Sequence, residues 1–247
     1  MTRKDQVKAA FSQAASTYDS AARAQKLAAD HLGMLVSALP RPARPRVLEF
    51  GCGTGLLTRR LYPIIGGDWL VTDLSPSMLE AAKPHAGSAR FALMDAEAPD
   101  LGDERFDLIV SNMAAQWFAD LGQAVRRLAG LRAPGGHLAF STLGAQSFGQ
   151  WRQAHDDLGL ACGVPAFPTR QAVQAMLPAD ARISEQVFDL DYVDGRAFGA
   201  ELKLIGAGIP AVGHQPLNAK DMRRVLHHLG RPVRMSYHLL HVSMTRK

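Results

Sequence analysis

The chain has 247 residues, 47% of them hydrophobic and 21% charged, with a net charge of +5. That balance excludes a disordered, collagen-like or coiled-coil chain, and no apolar run reaches the roughly 18 residues of a membrane span. Two cysteines, Cys52 and Cys162, make no disulfide framework and no CxxC pair, and MTRKDQVKAA carries no apolar signal segment, so a cytoplasmic protein without a bound metal is expected.

Residues 4–39 read as helical. Val7, Phe11 and Tyr18 share one face at about 100° per residue, and Leu32, Leu35, Val36 and Leu39 repeat at i, i+3, i+4, i+7. PRPARPR (40–46) breaks the pattern as a linker. VLEF (47–50) is a short strand that runs into GCGTG (51–55), and LLTRRLY follows as a helix. WLVTD (69–73) is a second strand, and SPSMLEAAK (75–83) a helix with Ser75 as N-cap and Pro76 at its first position. ARFALMD (89–95) and FDLIVSN (106–112) are further strands, 121–131 a helix, and GGHLAFST (135–142) a fifth strand. Beyond it, 145–160, 169–177, 198–205 and 219–228 read as helical, and 183–193 and 237–244 as strands. Alternating strands and helices predict a doubly wound α/β fold. The organisation expected is one domain over 1–247. It comprises a helical cap (1–40), a core (47–143), a late strand with substrate-lid helices (144–232) and a last strand (237–244).

The sharpest feature is VLEFGCGTG (47–55), a glycine turn between a strand and a helix. Glycines Gly51, Gly53 and Gly55 permit a tight turn and close approach of a ligand, although a glycine turn alone can also serve packing. The spacing is GxGxG rather than the dinucleotide GxGxxG, and Glu49 stands inside the turn, where it would repel a pyrophosphate. A cationic ligand without phosphate fits better, and S-adenosylmethionine has an ammonium and a sulfonium. Asp73, 22 residues beyond Gly51 at the end of the second strand, is placed to accept from ribose hydroxyls. Asp95, at the end of the third, is either an acceptor for an adenine amino group or a solvated strand-end acid.

VLEFGCGTG, VTDLSPSMLEAA, Asp95, FDLIVSN and LRAPGGHLAFSTL, in that order, resemble the class I S-adenosylmethionine-dependent methyltransferases. SNMAAQWFADL (111–121), FSTLGAQSFGQWRQAH (140–155), VKAAFSQAASTYDSAARAQ (7–25) and ELKLIGAG (201–208) further resemble the malonyl-acyl-carrier-protein methyltransferases of biotin synthesis. The resemblance implies a Rossmann-like α/β fold: a mostly parallel seven-stranded sheet with helices on both faces and a helical lid. It implies S-adenosyl-L-methionine as cofactor, held by Glu49, Gly51, Cys52, Gly53, Gly55, Asp73, Leu74, Asp95, Ala96 and Asn112. It implies methyl transfer to the free carboxylate of a malonyl thioester, with Tyr18 as catalytic residue and Tyr18, Gln116, Trp117, Thr142 and Lys203 against the substrate. Glu49 stands where many relatives have Asp, and 209–232 matches less clearly. By chemistry alone, Tyr18 has packing on an amphipathic helix as its alternative reading and Trp117 can equally be a packing residue, and Lys203 and Arg152 are two possible cations for the malonate.

Residues 220–234 hold Lys220, Arg223, Arg224, Arg231 and Arg234 against one acid, Asp221. Such a patch suits an acidic malonyl-acyl-carrier protein, or is simply a solvated face. The histidines show no HxxxH or HExxH spacing, so no metal is expected. Nucleic acid and membrane are not expected as partners. A methyltransferase of another small acid and a methyltransferase-fold assembly factor are the competing readings.

Overall fold

The computed structural model describes residues 2–246. The chain begins with three helices, α1 (Arg3–Ala14), α2 (Tyr18–Ala21) and α3 (Arg23–Ser37). Thr2 opens α1 in a capping box with Asp5, each side chain accepting from the other's backbone N–H. The single helix expected over 4–39 is therefore broken twice. The Thr17 hydroxyl donates to the Ala14 carbonyl and to Leu204 O at 2.7 Å, and Ala22 leaves helical geometry at φ −80°, ψ 53°. The break lets α1 lie against the helix over Pro76–Ala82 while α3 packs on the sheet.

Then come β1 (Arg46–Phe50), α4 (Leu56–Ile65), β2 (Asp68–Asp73), α5 (Pro76–Ala82), β3 (Arg90–Leu93), β4 (Phe106–Ser111), α6 (Leu121–Gly130) and β5 (Arg132–Leu143). Ser75 caps α5 through Met78 N–H and Pro76 opens it, as the sequence predicts. The last third forms α7 (Gly149–Asp157), α8 (Arg170–Met176), β6 (Arg182–Tyr192), α9 (Gly195–Leu204), α10 (Ala219–Leu229) and β7 (Val233–Thr245). α7 starts four residues later than its hydrophobic pattern suggests, and β7 starts four earlier.

All seven strands join one sheet in the order β3-β2-β1-β4-β5-β7-β6. The pairs from β3 to β5 are parallel, and β7 runs antiparallel between β5 and β6. Alternate residues supply two apolar faces. Val47, Val71, Leu108, Val110 and Ala139 meet α3, α4 and α5 through Leu32, Val36, Leu57, Leu61 and Leu79. Leu48, Phe50, Ile109, Phe140, Leu240 and Val242 meet α6 and α8 through Val125, Leu128 and Val173. Phe50 and Phe140 are each 1% exposed, and full burial of such a ring contributes about 1.5–3 kcal/mol. The strand order reverses between β1 and β4, so the crevice beyond their carboxyl ends is where such a sheet binds ligands.

Candidate active site

β1 delivers the chain into the glycine turn at that crevice. Gly51 (φ +59°) and Gly53 (φ +56°) take left-handed geometry that costs an L-residue about 1–2 kcal/mol. A Cβ on Gly51 would lie 2.5 Å from Ala114 Cβ, so glycine is demanded there by close packing. At Gly53 a Cβ would meet nothing within 4 Å, which leaves that backbone open to a ligand. Asp73 fastens the turn from β2, accepting from Gly53 N–H at 2.9 Å and Ser75 N–H at 2.8 Å. Burial pushes the Asp73 carboxyl up, against the lowering effect of those bonds.

A cavity of about 120 Å³ opens above the turn. Its wall includes Gly51, Cys52, Gly53, Asp73, Leu74, Asp95, Ala96 and Asn112, eight of the ten residues expected around the cofactor. Glu49 and Gly55 are not in the wall. Glu49 is buried beneath the turn, where its carboxyl group accepts from the Thr58 hydroxyl at 2.7 Å. Burial first, and the charge of Asp73 second, push its pKa to about 8. Gly55 closes the turn as the left-handed N-cap of α4. Cys52 is buried, and its thiol is pushed up by that burial and by Asp73 and Glu49.

The N-terminal helices form the roof. Val7, Phe11 and Tyr18 all line this cavity despite the break between α1 and α2. Lys4, on α1, pairs with Asp95 at 2.7 Å and Glu97 at 2.8 Å, and the Ser12 and Ser75 hydroxyls meet at 2.7 Å. Asp19, beside Tyr18, accepts from the Thr54 hydroxyl at 2.5 Å and from Arg59 at 2.6 Å. Thus one polar side chain of the roof touches the glycine turn itself. Lys4, Phe11 and Asp19 were not singled out from sequence as site residues, since their partners are distant in the chain.

A second cavity of about 220 Å³ adjoins the first. Phe11, Tyr18, Met113 and Trp117 line both and form a collar at their junction. Phe11 packs edge-on against Trp117 at 5.4 Å and lies 6.3 Å from Tyr18. Met113 is held at φ +52°, a strained geometry for a residue with a side chain. Its N–H donates to the Ser141 hydroxyl, which in turn donates to Asn112 Oδ1. Burial, with the charges of Asp73 and Asp19, raises the Tyr18 pKa, so its hydroxyl keeps its proton. Beyond the collar the wall is largely apolar, with Phe148, Trp151, Phe167, Phe198, Ile205 and Tyr237.

Gln116 and Trp117 line the second cavity, as expected of substrate residues, but Thr142 and Lys203 do not. Thr142 is buried in the sheet opposite Leu240. Lys203 lies exposed on the outer side of α9, whose Phe198 and Leu202 take the cavity face. Arg152 spends its guanidinium on the carbonyls of Val164, Pro165 and Ser147. The basic stretch is also partly neutralised: Arg224 pairs with Asp221, Arg231 with Asp194 and Arg234 with Asp191. Lys220 and Arg223 remain exposed with no ion pair among the described residues.

Comparison with known proteins agrees with this geometry. A family described as a methyltransferase domain matches residues 48–140. The biotin biosynthesis bifunctional protein BioCD of Bordetella avium is 43% identical over 90% of this chain, which spans 48% of that protein's length. The malonyl-[acyl-carrier protein] O-methyltransferase of Magnetococcus marinus is 38% identical over 86% of this chain and 81% of its own. In fold, the YcgJ protein of Bacillus subtilis superposes with a TM-score of 0.62 at 18% identity, over 87% of this chain and 97% of the other. Sheet order, glycine turn and relatives converge: this chain belongs to the malonyl-[acyl-carrier protein] O-methyltransferase family, with the Rossmann-like class I methyltransferase fold.

Proposed function

We propose that the protein methylates the free carboxylate of a malonyl thioester with S-adenosyl-L-methionine, an early step of biotin synthesis. The observation that carries this reading is the pair of cavities meeting at the Phe11–Tyr18–Met113–Trp117 collar. One has acidic groups and a glycine cradle, the other a mainly apolar wall.

The first cavity fits the cofactor. Asp73, Asp95 and Glu97 line it against Lys4 and Lys8, three acids to two bases, and Lys4 is already neutralised by two of the acids. That charge balance suits a cation and disfavours a pyrophosphate. Gly53 leaves open backbone where a Cβ would intrude. Asp73 and Asp95 would hold ribose and adenine, and Glu49, one layer below, would favour the ammonium end. When bound, S-adenosylmethionine would supply an electrophilic methyl group to a carboxylate oxygen, its sulfur keeping the C–S electron pair.

The chain's own residues have correspondingly little proton chemistry to perform. A carboxylate with a pKa near 4 is ionised at pH 7, so no general base is needed. The collar aligns the two ligands and excludes water, which leaves the anion poorly solvated and reactive. Tyr18 is the catalytic residue of this reading, because its protonated hydroxyl lines both cavities and makes no hydrogen bond to a described residue. The apolar wall beyond suits an acyl chain and its thioester arm. α10 places Met222 in that wall while Lys220 and Arg223 stay exposed on the same helix, so an acidic carrier protein docks against α10. Both cysteines are free, which suits the cytoplasm.

The test is incubation with S-adenosylmethionine and malonyl-acyl-carrier protein, with mass spectrometry of the carrier. The expected product carries one added methyl, as an ester released by mild alkali. Methylation of a free small acid with none on the malonyl carrier would overturn the substrate assignment.

A further inference from the structure

An anion in a largely apolar cavity needs hydrogen-bond donors. Yet among the described residues no lysine or arginine lines the second cavity. Besides its two histidines, its side-chain donors carry no charge: the Gln25 and Gln116 amides, the Tyr18 and Tyr237 hydroxyls and the Trp117 and Trp151 indoles. Gln116 commits one Nε2 hydrogen to the Met113 carbonyl at 2.6 Å, and its buried Oε1 has no partner, so it turns an acceptor as well as its second N–H towards its surroundings. Nδ1 of His155 lies 2.8 Å from the Trp151 carbonyl and is therefore the donor of that bond. His214 is only partly buried and packs on Gly163, on the loop side of the cavity.

Gln25 differs from these. It is only 8% exposed and lines the second cavity from α3, seven residues beyond Tyr18. Its backbone carbonyl is pinned by Asn112 Nδ2 at 3.0 Å, the same Asn112 that the Ser141 hydroxyl orients. Its side-chain amide makes no hydrogen bond to any described residue. That amide is therefore free to bind a ligand, and its backbone is anchored beside the collar by a network that also sets Met113.

We infer that Gln25 is the residue that recognises the substrate's free carboxylate, its Nε2 donating to one oxygen while the Tyr18 hydroxyl flanks the other. The inference rests on the malonyl-thioester reading and adds how the anion is chosen. A neutral donor suits the task. It discriminates carboxylate from methyl, yet it withdraws less charge from the attacking oxygen than a guanidinium ion pair would. The same contact weakens for the finished methyl ester, whose carbonyl oxygen carries no net charge.

The test compares binding of malonyl-CoA and acetyl-CoA by calorimetry, with S-adenosylhomocysteine present. Wild type, Gln25→Leu and the near-isosteric Gln25→Glu are measured. Wild type is expected to prefer malonyl-CoA. Gln25→Leu should lose about ten- to hundredfold in malonyl-CoA affinity, the range for a hydrogen bond to a charged group. Acetyl-CoA and S-adenosylhomocysteine should bind it unchanged, which a misfolded variant would not allow. Gln25→Glu, which keeps the volume, should reject malonyl-CoA still more and keep acetyl-CoA. If either variant retains the wild-type preference for malonyl-CoA while the wild type methylates malonyl thioesters, the assignment of Gln25 is wrong and the proposed function stands. If the wild type neither prefers nor methylates malonyl thioesters, the function itself fails and this inference with it.

Discussion

The Lys4 ammonium lies 2.7 Å from the Asp95 carboxylate, which ties the first turn of α1 to an acid that stands two residues beyond the end of β3 rather than at its last position. Glu97 closes on the same ammonium at 2.8 Å. Partial burial lowers the Lys4 pKa, but the bonds to Asp95 and Glu97 more than offset this and leave it raised. The pair therefore clamps α1 over the cofactor cavity while engaging one oxygen of the acid expected to meet adenine.

Removing that clamp should loosen the roof. A partly exposed pair is worth about 0.2–1 kcal/mol, so Lys4→Met should release S-adenosylhomocysteine roughly two- to fivefold faster. Stopped-flow displacement measures this. Raising the salt to 1 M should bring wild type towards the variant, and a variant with an unchanged release rate would show that Lys4 does not gate exchange.

Asp73 has a different role, because it holds the glycine turn as well as facing the cavity. Asp73→Ala should weaken S-adenosylhomocysteine binding by about 1–3 kcal/mol, the range for charge-assisted hydrogen bonds. Asp73→Asn keeps one acceptor oxygen for Gly53 or Ser75 and should lose less. Equal affinity in all three proteins, measured by calorimetry, would remove Asp73 from the site.

Glu49 should write a pH dependence into the ligand-free protein. Its folded pKa, about 8, lies above the ordinary 4.5. Between those values the folded state binds more protons than the unfolded one, so Glu49's contribution is fully present below pH 4.5 and is lost as pH rises towards 8. His241, whose pKa burial lowers to about 4, works in the opposite sense: its contribution is present above 6.5 and is lost as pH falls towards 4. The comparison that isolates Glu49 is therefore wild type against Glu49→Gln. The variant's thermal midpoint should exceed the wild type's by a margin that grows from pH 5 to pH 8, and a constant margin would contradict the buried, protonated carboxyl. A cationic cofactor should shrink the margin.

The exposed pair on α10 should matter only for a macromolecular substrate. Lys220→Glu with Arg223→Glu should raise KM for malonyl-acyl-carrier protein several-fold and flatten its salt dependence, while KM for malonyl-CoA stays put. An equal effect on both would point to damage in the Met222 wall rather than to docking.

The core was legible because its signals are local. Strands β1 to β5 announce themselves by apolar runs ending in Gly51, Asp73 and Ser111, and Ser75-Pro76 marks a helix start without reference to anything distant. The break after Ala14 was not legible, since the Thr17 hydroxyl that helps make it binds the carbonyl of Leu204, 187 residues away. Lys203 was misplaced for a related reason: α9 starts at Gly195 behind an Asp194 cap, and that phase turns Leu202, not its neighbour, into the cavity. The Asp194 cap was the available signal. The basic stretch looked stronger in one dimension than in three, because Asp191 and Asp194 reach Arg234 and Arg231 from the end of β6 and the turn after it. The second cavity draws its wall from α1, α3, α7, α9, α10 and β7, so no contiguous motif could display it.

The most direct test of the account is a crystal structure with S-adenosylhomocysteine and malonyl-CoA together. The account predicts the homocysteine sulfur in the Gly53–Asp73 cavity and the malonyl carboxylate in the adjoining one, facing each other through the ring formed by Phe11, Tyr18, Met113 and Trp117. Nucleoside density outside the first cavity, or a malonyl carboxylate at the protein surface with the second cavity filled only by water, would contradict it.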